Sequence, residues 1–198
     1  MKSSELILPD VARRRNLGRH RTCDTSFTYR MGAGFPGDVN RGHPASILPK
    51  IIDTSVGPSP FYGQPCILVA ATGGVRQFAA GDTALTDSFG VVARPYPIQQ
   101  TSNSNFSGAQ GYGAVAPPSL QPLDVVRAGY VMVQVPAGQT PQPGGTVYVW
   151  CAVSGGGHTQ GGFEAAPTGG STATLATPKW QWNSPPDASG VAELSITL

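Results

Sequence analysis

The sequence predicts an all-β protein, a sandwich or jelly-roll-like barrel with long Gly/Pro-rich loops and an extended basic N-terminal arm. Three observations carry this. Its 198 residues include 26 glycines and 19 prolines, and only 12% are charged, which excludes a helical bundle built on Ala, Leu, Glu and Lys. Apolar residues recur in short runs at a spacing of two, bounded by Gly/Pro turns. No segment after residue 24 keeps a helical period for more than a turn or two. The many valines and the low charge argue against a disordered chain. No apolar run is long enough for a membrane span, so no membrane partner is expected.

Charge divides the chain. Residues 1–30 hold Lys2, Arg13, Arg14, Arg15, Arg19, Arg21 and Arg30 against Glu5, Asp10 and Asp24, while the remainder is slightly acidic within a net charge of +2. Residues 1–24 are therefore expected to be a basic arm, and residues 25–198 a single β domain. Upstream sequence translated from an early start codon is the alternative origin for the arm. Its charge follows a very short apolar patch, the reverse of a secretory signal. Cys23, Cys66 and Cys151 lack metal-ligand spacing. Cys66 and Cys151 sit in apolar strands and are expected to be buried free thiols, as in a protein made in a reducing cytoplasm.

In chain order, Thr25–Met31 alternates as a strand and Gly32–His43 is a broken loop. Ile47–Asp53 is a strand that Pro49 confines to an edge. Cys66–Ala71 reads as a buried strand, turned by Gly73-Gly74 into Val75–Phe78. Gly81-Asp82 marks a turn, because glycine tolerates positive φ and aspartate bonds its own backbone. Phe89–Ala93 is a valine-rich buried strand ended by Pro95 and Pro97. Residues 99–122 form a long polar excursion that binds something, or an inter-strand arm. Val125–Val135 resumes the sheet, with Val131, Val133 and Val135 on one face. Val147, Val149, Cys151 and Val153 alternate with Tyr148, Trp150 and Ala152 in a strand with two apolar faces. Trp180 and Trp182 share a face. Leu194, Ile196 and Leu198 face the core, opposite a wet face of Glu193, Ser195 and Thr197.

Motifs for chemistry fail on context. Gly32-Ala33-Gly34-Phe35-Pro36-Gly37 matches the dinucleotide fingerprint, but Gly42, Pro44 and Pro49 forbid the helix whose N-terminal amides that fingerprint needs. His43 and His158 lack the closely spaced companions of a zinc site and read as loop histidines. Gly155-Gly156-Gly157-His158 resembles an oxyanion loop without a nucleophile elbow to serve. No catalytic, cofactor or metal site is expected. Trp150, Trp180 and Trp182 could form a sugar platform, though alternating strand aromatics are more often core. The Arg13–Arg21 run lacks interleaved aromatics and a nucleic-acid module, so no sequence-specific nucleic acid is expected.

Met31–Ile47 (MGAGFPGDVNRGHPASI) and Ala80–Gln100 (AGDTALTDSFGVVARPYPIQQ) resemble the structural cement proteins of tailed bacteriophages. The similarity is strongest over Tyr29–Gln100, extends more loosely to Leu198 and omits residues 1–24. It implies a β-rich, non-enzymatic virion protein on the outside of the icosahedral shell. Such a protein bridges neighbouring major capsid protein subunits and works as a homo-oligomer, dimer or trimer. The two matching stretches make Phe35, Pro36, Asp38, Arg41, Arg94 and Tyr96 candidate contacts. Charge adds Arg13, Arg14, Arg15, Arg19 and Arg21. The alternative reading is a carbohydrate-binding or adhesin-like β-sandwich of a tail or fibre, resting on the tryptophans and the glycine loops.

Overall fold

A computed structural model describes residues 34–39, 45–55, 57–94, 117, 122–176 and 179–197. Ten strands carry the described chain: β1 Ser46–Ile51, β2 Pro65–Leu68, β3 Val75–Gln77, β4 Gly90–Val92, β5 Pro122–Gln134, β6 Val147–Trp150, β7 Phe163–Glu164, β8 Thr172–Leu175, β9 Lys179–Trp182 and β10 Val191–Thr197. The helical elements among the described residues are single 3-10 turns at Ala80–Asp82 and Gly169–Ser171. The all-β expectation is borne out.

β5 is the spine because it is the longest strand and serves two sets of neighbours. Its first half pairs with β1 and β4, and its second half with β10, all antiparallel. The pairings β1–β5–β4–β2–β3 then close on themselves, because Ile52, one residue past β1, bridges Val75 of β3 in parallel. The Asp53 amide donates to Val75 O at 2.8 Å and seals the closure. Ile52, Cys66, Val75, Val92, Leu123 and Val125, drawn from every side of this ring, form its filling, with Phe89 packed against them. The closure is a single bridge, so the length of β1 itself remains an edge.

The main core lies between the large sheet and a second sheet of order β7-β6-β8. Val126 and Val131 of β5 both enter this core, although an odd spacing puts residues of a regular strand on opposite faces. Gly129, at φ 127°, allows the switch. That conformation suits glycine, and the register slips against β1 two residues earlier, at Arg127, a bulge that re-aims the strand. Beyond it Val131, Val133 and Val135 share the core face, as the alternation predicts. Trp182 meets Phe163 edge-on at 6.2 Å, and its indole N–H donates to Thr146 O. Trp180 lies 5.9 Å from the same ring.

Several elements differ from their sequence expectation. β2 stops at Leu68, itself exposed, because the chain reverses through Val69–Gly74 with the Gly73 amide donating to Val69 O. β6 stops at Trp150. Cys151 is still buried, but Val153 is 77% exposed, its carbonyl taken by the Trp150 indole. The face of β10 expected to be wet buries Glu193 beside its cross-strand partner Met132, while Ser195 is half-buried and Thr197 exposed. Asn183 donates to the Glu193 carboxylate at 3.3 Å. β1 is the edge that Pro49 predicts: among the described strands it pairs with β5 alone. Cys66 and Cys151 are free and buried, and burial pushes their thiols up to about 12 and about 11. Thr25–Met31, Cys23, the basic arm, Pro95, Pro97 and nearly all of residues 99–122 lie outside the described residues.

Candidate functional site

Phe35–Asp38 is a turn closed on itself. The Phe35 amide donates to Asp38 Oδ2 at 2.8 Å, and the Asp38 amide returns a bond to Phe35 O at 3.0 Å. The turn is stitched to two strands. The Gly37 amide donates to Met132 O, the Met132 amide to Asp38 O, and the Arg94 amide to Gly37 O, each at 2.8–2.9 Å. Val39 then bridges Val131. Residues 34–39 form a turn followed by a bridge rather than the opening of a helix.

Arg94 leaves the end of β4 and pins this turn from behind. Its Nε donates to Pro36 O at 3.2 Å and lies 3.9 Å from the Asp38 carboxylate. Its guanidinium sits 5.4 Å from the centre of the Phe35 ring and 5.3 Å from that of Tyr62. Stacking on aromatic faces suits a planar guanidinium. The fold therefore joins two stretches far apart in sequence: Phe35, Pro36 and Asp38 from one, Arg94 from the other. Arg94 is turned inward and buried, whereas Phe35 remains 54% exposed. Burial pushes the Tyr62 phenol above its ordinary value, and the Arg94 charge offsets part of that.

Phe35 borders a groove of about 540 Å³ whose walls include Phe61, Tyr62, Pro136, Ala137 and Phe163. Glutamines hold the walls together. Gln64 Oε1 accepts from the Phe61 amide at 3.0 Å and from Gln77 Nε2 at 2.7 Å. Both glutamine side chains donate to Gln160 O, which ties the 61–64 turn and β3 to the loop before β7.

That loop has its own lock. His158 Nδ1 lies 2.8 Å from Glu164 Oε1, and the imidazole stacks on Trp150 with centroids 4.1 Å apart. Glu164 is fully buried, and Gln139 Nε2 reaches its other oxygen. His158 therefore does have a carboxylate companion, which its lone place in the sequence hides. The signal that could have found it is the reversal at Gly161-Gly162, which brings position 164 back beside position 158. No group of three metal-binding side chains occurs among the described residues.

Trp180 and Trp182 are core residues, which removes the platform that the carbohydrate reading rested on. Arg13, Arg14, Arg15, Arg19, Arg21, Arg41, Tyr96 and His43 lie outside the described residues.

No curated protein matches the chain. A chain of the solved structure titled "The capsid of Myoviridae Phage XM1" shares the fold, with a TM-score of 0.56 and 15% identity, over 85% of this chain and 93% of that one. The family described as "Structural cement protein (E217 gp24/Pam3 gp6)" matches residues 23–197. The matched stretch takes in the Phe35 turn, Arg94 and both sheets, and it begins after the Arg13–Arg21 cluster. The chain belongs to the phage structural cement protein family.

Proposed function

We propose that this protein is a capsid cement: it binds the outer surface of a tailed-phage shell, bridges neighbouring major capsid protein subunits and reinforces them without catalysis or cofactor. It acts as a homo-dimer or trimer, so that modest contacts repeat by symmetry and gain from avidity. Family membership supports the capsid role. The observation that carries the contact surface is Phe35, an exposed aromatic held rigid by Arg94 and Asp38 at the rim of an apolar groove. Pre-ordered aromatics are what interface hot spots favour, because little side-chain freedom is lost on docking. Pro36, beside it, is a further contact, and Arg41 and Tyr96 are candidates from the two recognisable stretches of sequence.

Quantitative mass spectrometry of purified virions tests the role. A copy number comparable to the major capsid protein is expected, and a handful of copies would assign the chain to a tail or fibre. Phe35→Ala should weaken binding to undecorated shells about tenfold, as a hot-spot truncation does, while leaving the melting temperature unchanged. Labelling of intact virions by a membrane-impermeant, shell-impermeant reagent tests the outer location.

A further inference from the structure

Lys50, Phe89 and Arg127 form a second cluster, none of them lining the Phe35 groove. Lys50 Nζ lies 4.9 Å from the centre of the Phe89 ring, and the Arg127 guanidinium lies 4.3 Å from it. Two cations thus share one aromatic ring. Neither has a carboxylate partner within ion-pair distance among the described residues. Lys50 donates to Gly73 O at 3.1 Å, and Arg127 Nε is buried with no acceptor at all. The acid nearest Lys50 in sequence, Asp53, is already engaged by the Ser55 and Thr72 hydroxyls.

Arg127 is aimed by the backbone. Ser46 pairs with Ala128 and Ile47 with Val126, so Arg127 is the unmatched residue of a bulge. Bulges commonly re-aim a side chain next to a functional site. Arg127 follows Leu123 and Val125 at two-residue spacing and so belongs to the ring's inner face, at its end. Lys50 pairs with Leu123 and shares that face. A buried guanidinium nitrogen without an acceptor costs free energy, and two cations side by side without a counter-charge favour an incoming anion.

The surrounding surface also favours a partner. Ile47, Leu48 and Ile51 of β1 are all exposed, Ile51 by 57%. Pro49 lacks one donor on this edge, which disfavours extension by another strand and leaves docking through side chains.

Resting on the capsid-binding reading above, we propose that Lys50 and Arg127, joined over Phe89, form a carboxylate-docking site that receives an acidic side chain of the adjoining capsid subunit, with Leu48, on the same face of β1 as Lys50, as its apolar rim. The cationic pair supplies the charge complementarity and the rim excludes water from it, which strengthens the contact.

The test uses shells of the major capsid protein decorated with the full chain and treated with a zero-length carbodiimide. Lys50 should cross-link to an Asp or Glu of the capsid subunit. A Lys50 link to an acid of its own chain or of a second copy overturns the proposal. So does free labelling of Lys50 by an amine reagent on decorated shells. In parallel, Lys50→Gln and Arg127→Gln should each lower shell affinity about tenfold at low salt and flatten its salt dependence, whereas Arg127→Lys retains most of the affinity. If Arg127→Gln does not fold, Lys50→Gln and the cross-link decide. Wild-type chain that fails to bind shells overturns the capsid reading and this site together. Wild-type binding matched by Lys50→Gln overturns the site alone.

Discussion

Gly63 and Gly37 meet backbone to backbone: a Cβ on Gly63 would lie 2.7 Å from the Gly37 nitrogen and from Pro36 Cβ. Both residues have positive φ, 75° and 92°, and the Gly63 amide donates to Val92 O at 2.8 Å. The contact fixes the height of the Phe35 turn over the groove. Gly63→Ala would meet both a strained conformation and a clash with main-chain atoms that cannot rotate away. It is expected to destabilise the fold by about 2–3 kcal/mol in urea unfolding. Its residual shell binding should be weaker than wild type, because the turn that presents Phe35 must shift. An alanine variant as stable as wild type would show that the two turns are not interlocked.

His158 and Glu164 set the second prediction. Removing the imidazole leaves the Glu164 carboxylate buried with Gln139 as its remaining side-chain partner. His158→Ala should therefore cost about 1–3 kcal/mol, the scale of a buried acceptor that loses a hydrogen-bond partner. It should also release Trp150, detected as a red shift of the tryptophan emission. Glu164→Gln combined with His158→Ala should cost less than the sum of the two single losses, since both remove the same contact. Additive losses in this double-mutant cycle would refute the coupling.

How much of this was legible in the sequence depends on the range of each interaction. Period-two alternation gave the valine faces of β5 and β6 and the shared face of Trp180 and Trp182, because those patterns are local. The edge position of β1 followed from one residue, Pro49. The burial of Glu193 was not legible, since it depends on Met132 of β5 lying across from it and on Asn183 reaching its carboxylate. Nor was the face switch at Gly129, which a regular alternation cannot announce. The Phe35 turn and Arg94 were both visible as separate stretches of familiar text. Their contact was not, because it depends on β4 and β5 being neighbours. The pairing of His158 with Glu164 needed a reversal whose register the glycines alone do not set.

Acid stability should depend on Asp82. Burial raises its carboxyl, but the paired hydrogen bonds from Arg76, the bond from the Ala79 amide and the Arg76 charge together hold it below the usual value of 3.8. A folded-state value depressed below the unfolded one means a stabilising contribution that is fully present above the unfolded value. It is lost as pH falls below 3.8 and through the folded value. The melting temperature of the wild type should therefore drop as pH falls from about 4 toward 2. Asp82→Asn should be less stable at neutral pH and lose less over that window. Parallel curves for the two proteins would remove Asp82 from the acid response.

The last prediction concerns residues 1–24, where charge rather than family resemblance is the guide. The family match begins at residue 23, so Arg13, Arg14, Arg15, Arg19 and Arg21 precede it. We expect these arginines to dock on an acidic surface of a neighbouring capsid or cement subunit, because a guanidinium can fork onto a carboxylate. An exposed pair contributes only about 0–1 kcal/mol. The arm must then act through number and through tethering to a body that is already bound. Deleting residues 1–24 should leave the circular dichroism spectrum and melting temperature of the β body unchanged. It should weaken co-sedimentation with shells, and the loss should be largest at low salt, where unscreened charges reach furthest. The salt dependence that remains should be shallower than that of the full chain, and Lys50→Gln in the deleted chain should flatten it further, since the two sites draw on separate cations. Equal binding and equal salt slopes for the deleted and full-length chains would remove the arm from the mechanism.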